Sequence, residues 1–378
     1  MKILVDENVP LAEVYLSRYG EVERFAGRSL QAEQLAEAEA LVVRSVTRVD
    51  ASLLAGSRIG FVGSCTIGSD HLDLEYLQSA GIEAHTAPGC NANSVVDYVL
   101  SVIAVCGDRL ERLLAGGRLG IVAYGNVGRA LASRAAALGV DCIAYDPLLD
   151  QTADKCLASL EAVLQCDVVS VHAPLTRRGS HPSYHMLSAE RLAQMPQDAL
   201  LISAGRGGVV ATEALLALKQ RRPDIRLALD VWEGEPAVDT ELAALCDIAT
   251  PHIAGYSLDG KIAGTKMIAE RLGDYLRDRG EDIGSVDMQA AALATPVIVL
   301  KETGGAALLR EAALAVYDPR GDDRRFRQSL LAAEPAGEFD LLRKHYPERR
   351  EFAFCDYRTE SALSAAALSL LAALPGSR

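Results

Sequence analysis

Three residues that could do chemistry stand just past short apolar runs: Arg206 in 202–210, Glu235 in 228–236 and His252 in 250–256. Each run reads as a buried strand, and open α/β sheets bind ligands at the carboxyl ends of their strands. An arginine can fork onto a carboxylate. A histidine supported by a carboxylate can move a proton near neutral pH. The set is therefore equipment for oxidising a 2-hydroxy acid. Arg206 would grip the substrate carboxylate and polarise the C2 oxygen, and His252 would take the hydroxyl proton. Glu235 would stabilise the imidazolium, raise its pKa and fix its tautomer. Plainer readings exist for each. Arg206, left unshielded between Gly205 and Gly207, could be a solvated loop arginine, Glu235-Pro236 a helix-entry acid, and His252 a satisfied core histidine. Histidines 71, 85, 181, 185 and 345 read mostly as surface or strand-end residues, while His172-Ala173-Pro174 reads as backbone lining a cofactor pocket.

Such an oxidation needs a hydride acceptor, and residues 119–130 offer a place for one. A strand-like run leads into Ala123-Tyr124-Gly125-Asn126-Val127-Gly128 and then a helical pattern. Against the pattern GxGxxG, the first glycine is replaced by Ala123. Gly125 would let the backbone approach a pyrophosphate, and Gly128 would let the helix pack closely on the strand. Asn126 and Val127 open the helix whose free N–H groups would face the phosphates. The next strand-like run ends at Asp146, 18 residues after Gly128 (146 − 128). That is the place for a carboxylate on the adenosine ribose, where it would repel a 2′-phosphate and favour NAD over NADP. Asp146-Pro147 as a plain turn is the bland alternative.

Positioning these residues requires a particular kind of scaffold. Strand-like runs at 3–5, 41–43, 59–62, 119–123, 142–145, 168–171, 199–202, 227–229 and 248–249 alternate with helical patterns such as 127–138, 188–195 and 212–220. That alternation predicts an α/β protein with doubly wound parallel sheets. A long apolar run at 93–105 reads as a buried helix joining two domains, with 259–279 as the return connection. We therefore expect two Rossmann-like domains plus a small C-terminal α+β domain. The first, for substrate, takes 1–92 and 257–283; the second, for NAD, takes 93–256; the third, for dimerisation, takes 284–378. In that tail, 290–300 and 306–317 are short apolar elements, 318–325 is a charged stretch and 360–374 a terminal helix. The two α/β domains would close over cofactor and substrate, excluding water.

Composition narrows the setting. With 378 residues, two or three cores are expected. A net charge of −13 disfavours nucleic acid and anionic membranes as partners, and any anion site must be a local cluster of arginine and N–H groups. No apolar stretch reaches the ~18 residues of a membrane span. The acidic start at 1–6 reads as a first strand, not a signal peptide. The eight cysteines are scattered without a CxxC pair, as expected of free thiols in a reducing cytoplasm and not of disulfides or a metal site.

Several of these motifs, in this order, resemble the D-isomer-specific 2-hydroxyacid dehydrogenases over about residues 1–280. They are Ala123-x-Gly125-Asn126-Val127-Gly128, His172-Ala173-Pro174-Leu175-Thr176, Ser203-Ala204-Gly205-Arg206-Gly207, residues 230–236 and Thr250-Pro251-His252-Ile253. The resemblance implies Arg206, Glu235 and His252 as catalytic residues, and Ala173, Ala204, Asp230 and Gly255 as further contacts to NAD. It also implies Ser45, Thr66 and Tyr256 as contacts to the substrate. Three features set this chain apart within the family. The loop 63–73 departs from the Gly-Thr-Gly form common in phosphoglycerate dehydrogenases, the run 252–261 is distinctive, and the tail does not resemble a regulatory amino-acid-binding domain. This likeness implies a phosphorylated hydroxy acid as substrate, which the hydroxyls of Ser45, Thr66 and Tyr256 would suit. Rivals are a phosphoglycerate, hydroxypyruvate or lactate dehydrogenase, or an NADH-sensing corepressor of the same fold. Arg44 reads either as added positive charge at the substrate or as a plain surface arginine, while Arg343, Lys344, Arg349 and Arg350 in the tail could reach across a dimer but read chiefly as a solvated face.

Overall fold

Strands with apolar residues at every position can be buried only between two helical layers, and both sheets follow that rule. The computed structural model describes residues 1–150, 152, 154–283 and 293–375. The chain divides into two compact units, Met1–Asn91 with Ser257–Ala294, and Ala92–Tyr256 with Thr295–Arg378.

In the first unit, β1 (Lys2–Asp6), β2 (Glu21–Phe25), β3 (Ala40–Val43), β4 (Phe61–Ser64) and β5 (Glu83–His85) form a wholly parallel sheet in the order β2-β1-β3-β4-β5. Alternation sorts its side chains. Ile3, Val5, Ala40, Val42 and Phe61 face the helix Leu258–Asp278, while Leu4, Leu41, Val43 and Val62 face the opposite layer. That helix starts at Ser257, whose hydroxyl accepts from the Gly260 amide at 2.9 Å. It lies so close to β4 that a Cβ on Gly63 would overlap Ile268. Strands β2 and β5 have no apolar run to announce them. They are sheet edges, and the exposed Glu21, Glu23 and Arg24 of β2 keep that edge soluble.

In the second unit, β6 (Arg118–Val122), β7 (Asp141–Tyr145), β8 (Val168–Val171), β9 (Leu200–Ser203), β10 (Arg226–Leu229) and β11 (Ile248–Ala249) form a parallel sheet in the order β11-β10-β9-β8-β6-β7. The chain runs outward from β6 in both directions, so a switch point lies between β6 and β8. The apolar run at 93–105 is the helix Ala92–Val105, buried along nearly its whole length within this unit.

The C-terminal segment carries its own pair of parallel strands, β12 (Val297–Leu300) and β13 (Asp356–Thr359), and four helices, Gly305–Val316, Pro319–Ser329, Pro335–Lys344 and Ala365–Ala373. Its core is not separate. Leu308, Leu309, Ala312, Phe352 and Leu371 join Tyr98, Val102 and Leu131 in one cluster, and Phe326 and Phe339 join Leu229, Trp232 and Ala249 in another. The boundary expected near 284, and the apolar stretch before 293, lie outside the described residues. The charged stretch 318–325 opens a helix capped by Asp318. There Asp323 accepts the Ala249 amide at 2.8 Å, and Arg327 donates to the carbonyls of Ala243 and Cys246 at 2.8 Å each. This helix thus satisfies backbone at the edge strand β11. The terminal helix is shorter than 360–374, because Asp356–Thr359 pairs as a strand first and Ser364 caps the turn that follows.

The solvated-face reading of the tail cations fails for Arg349. Only 6% exposed, it donates to the hydroxyl and carbonyl of Ser94 and to the carbonyl of Ala254, and lies 4.4 Å from the Tyr317 ring centroid. Asp97 completes the seam, accepting from Arg134 at 3.1 Å and from the Phe352 amide at 2.8 Å. A tail folded back onto the sheet unit turns what would be surface into core.

Candidate active site

Five strands of the second sheet, β6 and β8 through β11, lead into candidate site residues at their carboxyl ends, because the ladder continues one step past each of them. The amides of Ala123, His172, Ala204, Asp230 and Thr250 donate to the carbonyls of Tyr145, Val122, Val171, Ser203 and Leu229 at 2.8–3.0 Å. The backbone then turns off the sheet, and the residues that follow line one edge.

His252 and Glu235 meet there. Nδ1 of His252 lies 2.6 Å from Oε1 of Glu235, with about a quarter of each side chain exposed. A carboxylate can only accept, so Nδ1 carries the proton and Nε2 of the neutral ring is left as the base. Burial pushes the Glu235 carboxyl up. The hydrogen bond and charge of His252, the Trp232 amide and the charge of Arg343 outweigh it and hold the carboxyl below its ordinary value. His252 sits at φ 57°, a left-handed conformation unusual for a side chain of its kind.

Asp230 explains how that conformation is held. It is 1% exposed. Oδ1 accepts from the Thr250 hydroxyl at 2.7 Å and the Ile253 amide at 2.8 Å, and Oδ2 accepts from the Ala254 amide at 2.8 Å. Its carbonyl accepts from the His252 amide at 2.7 Å. The Thr250 hydroxyl in turn accepts from Tyr98 at 2.9 Å, and the Trp232 indole donates to the Thr250 carbonyl at 2.9 Å. Both carboxylate oxygens of Asp230 are thus engaged with the loop 250–254. Gly255 follows directly on that loop.

Arg206 enters the same edge through its glycines, and their role is packing. A Cβ on Gly205 would stand 2.8 Å from the Ala173 carbonyl oxygen, and one on Gly207 would overlap the Trp232 carbonyl. The turn is therefore pressed between the exits of β8 and β10, which sets Arg206 beside the segment carrying Glu235. Glu233, two residues earlier, faces elsewhere, to His185 at 2.6 Å and the Thr212 amide at 3.0 Å. His172 reaches the Ser170 hydroxyl at 2.9 Å, and burial pushes its pKa down to about 4.

The turn after β6 fits a dinucleotide. Ala123 takes φ 76°, the conformation a glycine would adopt, so the alanine keeps the turn at the expense of strain. Space is open where a Gly125 side chain would stand, whereas a Cβ on Gly128 would overlap the Ala123 carbonyl. The helix Asn126–Ala137 begins there without a side-chain cap, leaving its first N–H groups for a ligand. Asp146 stands at the end of β7. Oδ2 accepts from the Tyr124 amide and Oδ1 from the Leu148 amide, both at 3.0 Å, which ties the acid to the glycine turn.

Within the first unit, exposed Ser45 follows β3, and Thr66 follows β4 with its hydroxyl 2.9 Å from that of Ser64. His71 Nε2 also reaches Ser64, at 2.9 Å. Arg44 lies 3.8 Å from Asp6. Tyr256 belongs to the second unit, where its ring meets that of Tyr346 edge-on at 5.7 Å.

Comparison with known proteins agrees with this geometry. Residues 106–254 match the NAD binding domain of the D-isomer specific 2-hydroxyacid dehydrogenases, and residues 293–373 match a domain of unknown function. Erythronate-4-phosphate dehydrogenase of Pseudomonas putida is 46% identical over 357 residues, covering 93% of each chain. That of Teredinibacter turnerae is 47% identical over 358 residues, again covering 93% of each.

The chain belongs to the erythronate-4-phosphate dehydrogenase family.

It is accordingly an NAD-dependent 2-hydroxyacid dehydrogenase. A solved structure from Thermus thermophilus, 26% identical with a TM-score of 0.63, is spanned over 97% of its length by 74% of this chain. An NAD+-bound 3-phosphoglycerate dehydrogenase from Entamoeba histolytica, 22% identical, shares the fold with a TM-score of 0.63. Two features of this member were hidden in its sequence. Nothing in the spacing of Tyr98, Thr250 and Asp230 reveals their network, since a buried hydroxyl leaves no periodic signal. Arg343 looks like any surface arginine of a helix until the tail is seen to fold over Tyr256.

Proposed function

We propose that this chain oxidises 4-phospho-D-erythronate at C2 to (R)-3-hydroxy-2-oxo-4-phosphooxybutanoate with NAD, a step in the synthesis of pyridoxal 5′-phosphate. The observation that carries the reading is the 2.6 Å contact between His252 and Glu235 at the sheet edge, in a chain 46% identical to a relative named for that substrate. When bound, NAD accepts the hydride. Nε2 of His252 takes the hydroxyl proton, and the imidazolium so formed is stabilised across Nδ1 by Glu235. Arg206 pairs with the carboxylate and polarises the C2 oxygen. Gly125, Asn126, Val127 and Gly128 seat the pyrophosphate, Asp146 takes the adenosine ribose, and Ala173, Ala204 and Gly255 supply further contacts. Asp230 acts through the loop it holds. Ser45, Thr66 and Tyr256 are proposed as further contacts to the substrate.

The test is NADH formation by the purified chain on 4-phosphoerythronate, erythronate, 3-phosphoglycerate, hydroxypyruvate-derived acids and D-lactate. Preference for 4-phosphoerythronate is expected, and equal rates on erythronate and its phosphate would end the reading. We further propose a cytoplasmic homodimer paired through the tail. Exposed Val297 and Val299 on β12, at 48% and 55%, support that pairing, and eight free thiols suit a reducing compartment. Sedimentation of the intact chain as a monomer would refute the dimer.

A further inference from the structure

Beside Tyr256 stands a cation with no assigned task. Arg343 closes the helix Pro335–Lys344, and its guanidinium carbon lies 5.6 Å from the Tyr256 ring centroid and 5.7 Å from that of Phe339. Its Nε is buried and has no hydrogen-bond partner. Leaving such a donor unmatched is costly, and at a binding edge it marks where an acceptor is meant to arrive. Its charge reaches the catalytic pair, since it is one of the influences holding the Glu235 carboxyl low. The other tail cations are differently placed. Arg349 is buried against Ser94 and Ala254, Arg350 lies over Phe354, and Lys344 is exposed.

The proposed substrate has two anionic ends. Arg206 and His252 account for the carboxylate and the C2 hydroxyl, which leaves a phosphate of charge about −1.5 to −2 without a partner. A protein of net charge −13 offers no general field to attract that group, so a local cation must hold it. A guanidinium within 6 Å of two ring centroids, with its Nε–H unmatched, can fork onto phosphate oxygens in a way an ammonium cannot.

We propose that Arg343 is a specificity-determining residue that binds the phosphate of the substrate, in the site of its own chain. This inference rests on the function proposed above and adds that the tail supplies part of the active site. The experiment compares wild type, Arg343→Met and Arg343→Lys on 4-phosphoerythronate and on erythronate, with NADH binding followed by fluorescence and folding by thermal unfolding. Arg343→Met keeps the apolar stem against Phe339 and should lose roughly 10- to 100-fold in kcat/KM on the phosphorylated acid, chiefly through KM, as for a charge-assisted hydrogen bond. The ratio of its kcat/KM on the phosphorylated acid to that on erythronate should fall by about the same factor, and inorganic phosphate should inhibit it less. Arg343→Lys should recover part of the loss, and does so even if the methionine variant folds poorly. Equal losses on both acids, or an unchanged preference for the phosphate in the variants, would overturn the inference alone. A wild type indifferent to the phosphate would overturn the proposed substrate as well.

Discussion

Replacing Asp230 by asparagine tests how the loop carrying His252 is held. The carboxylate accepts three hydrogen bonds, two of them from the amides of Ile253 and Ala254. An asparagine has one oxygen, so whichever way its amide turns, one of those N–H groups faces an NH2 donor. An unsatisfied buried N–H costs ~1–3 kcal/mol, and the surviving bonds lose their charge assistance. Burial pushes the Asp230 carboxyl up against the pull of His252 and its hydrogen bonds, so removing the charge gives some of that energy back. The net loss should be about 2–3 kcal/mol, or roughly 5–10 °C in Tm for a unit of this size. Turnover should suffer separately. His252 at φ 57° is held by its surroundings, and once residues 253–254 relax the imidazole drifts from Glu235. A displacement of ~1 Å can cost about 10²-fold in rate. Differential scanning fluorimetry and initial-rate kinetics read the two effects, and NADH affinity should change little. An Asp230→Asn enzyme with wild-type Tm and kcat but weakened NADH binding would refute the argument and make Asp230 a direct cofactor contact.

Three further outcomes are expected. His252→Asn should lose ~10²–10⁴-fold in kcat while still binding NADH by fluorescence, and full retained activity would remove the proposed base. Ala123→Gly should relieve left-handed strain of ~1–2 kcal/mol, partly offset by the looser unfolded chain, for a net gain of about 0.5–1 kcal/mol in chemical denaturation; a lower midpoint would contradict this. The pKa of His172 falls from 6.5 to about 4 because burial opposes its charge, so the unfolded chain binds the extra proton first. Wild type should therefore lose stability relative to His172→Asn as pH falls from 6.5 to 4 and level off below that, and parallel pH profiles would show that the imidazole is not buried in this way.

Much of the fold was legible in the sequence because its signals are local. Strands buried on both faces need unbroken apolar runs, and β1, β3, β4, β6 and β8 through β11 are found where such runs occur, as is the less buried β7 at its run 142–145. The strands β2 and β5 escaped because charged or polar residues interrupt them, Glu21, Glu23 and Arg24 in the one and Glu83 and His85 in the other. The helix Pro319–Ser329 looked like a charged stretch because its apolar contribution is chiefly the single buried Phe326, packed against Trp232 at 5.5 Å. At the candidate site, residue type together with strand-end position marked Arg206, Glu235, His252 and the glycine turn as candidates, and of these the structure brings His252 and Glu235 into contact.

What the sequence determined by itself, then, was chemistry tied to chain position: a guanidinium, a carboxylate, an imidazole and a phosphate-sized turn, each fixed by the strand that precedes it. Tertiary structure alone decided which groups touch. The seam of Asp97, Arg134 and Arg349, the Tyr98-Thr250-Asp230 network and the approach of Arg343 to Tyr256 join residues far apart in the chain. Such contacts depend on how layers fold over one another, and no local pattern of side chains records that.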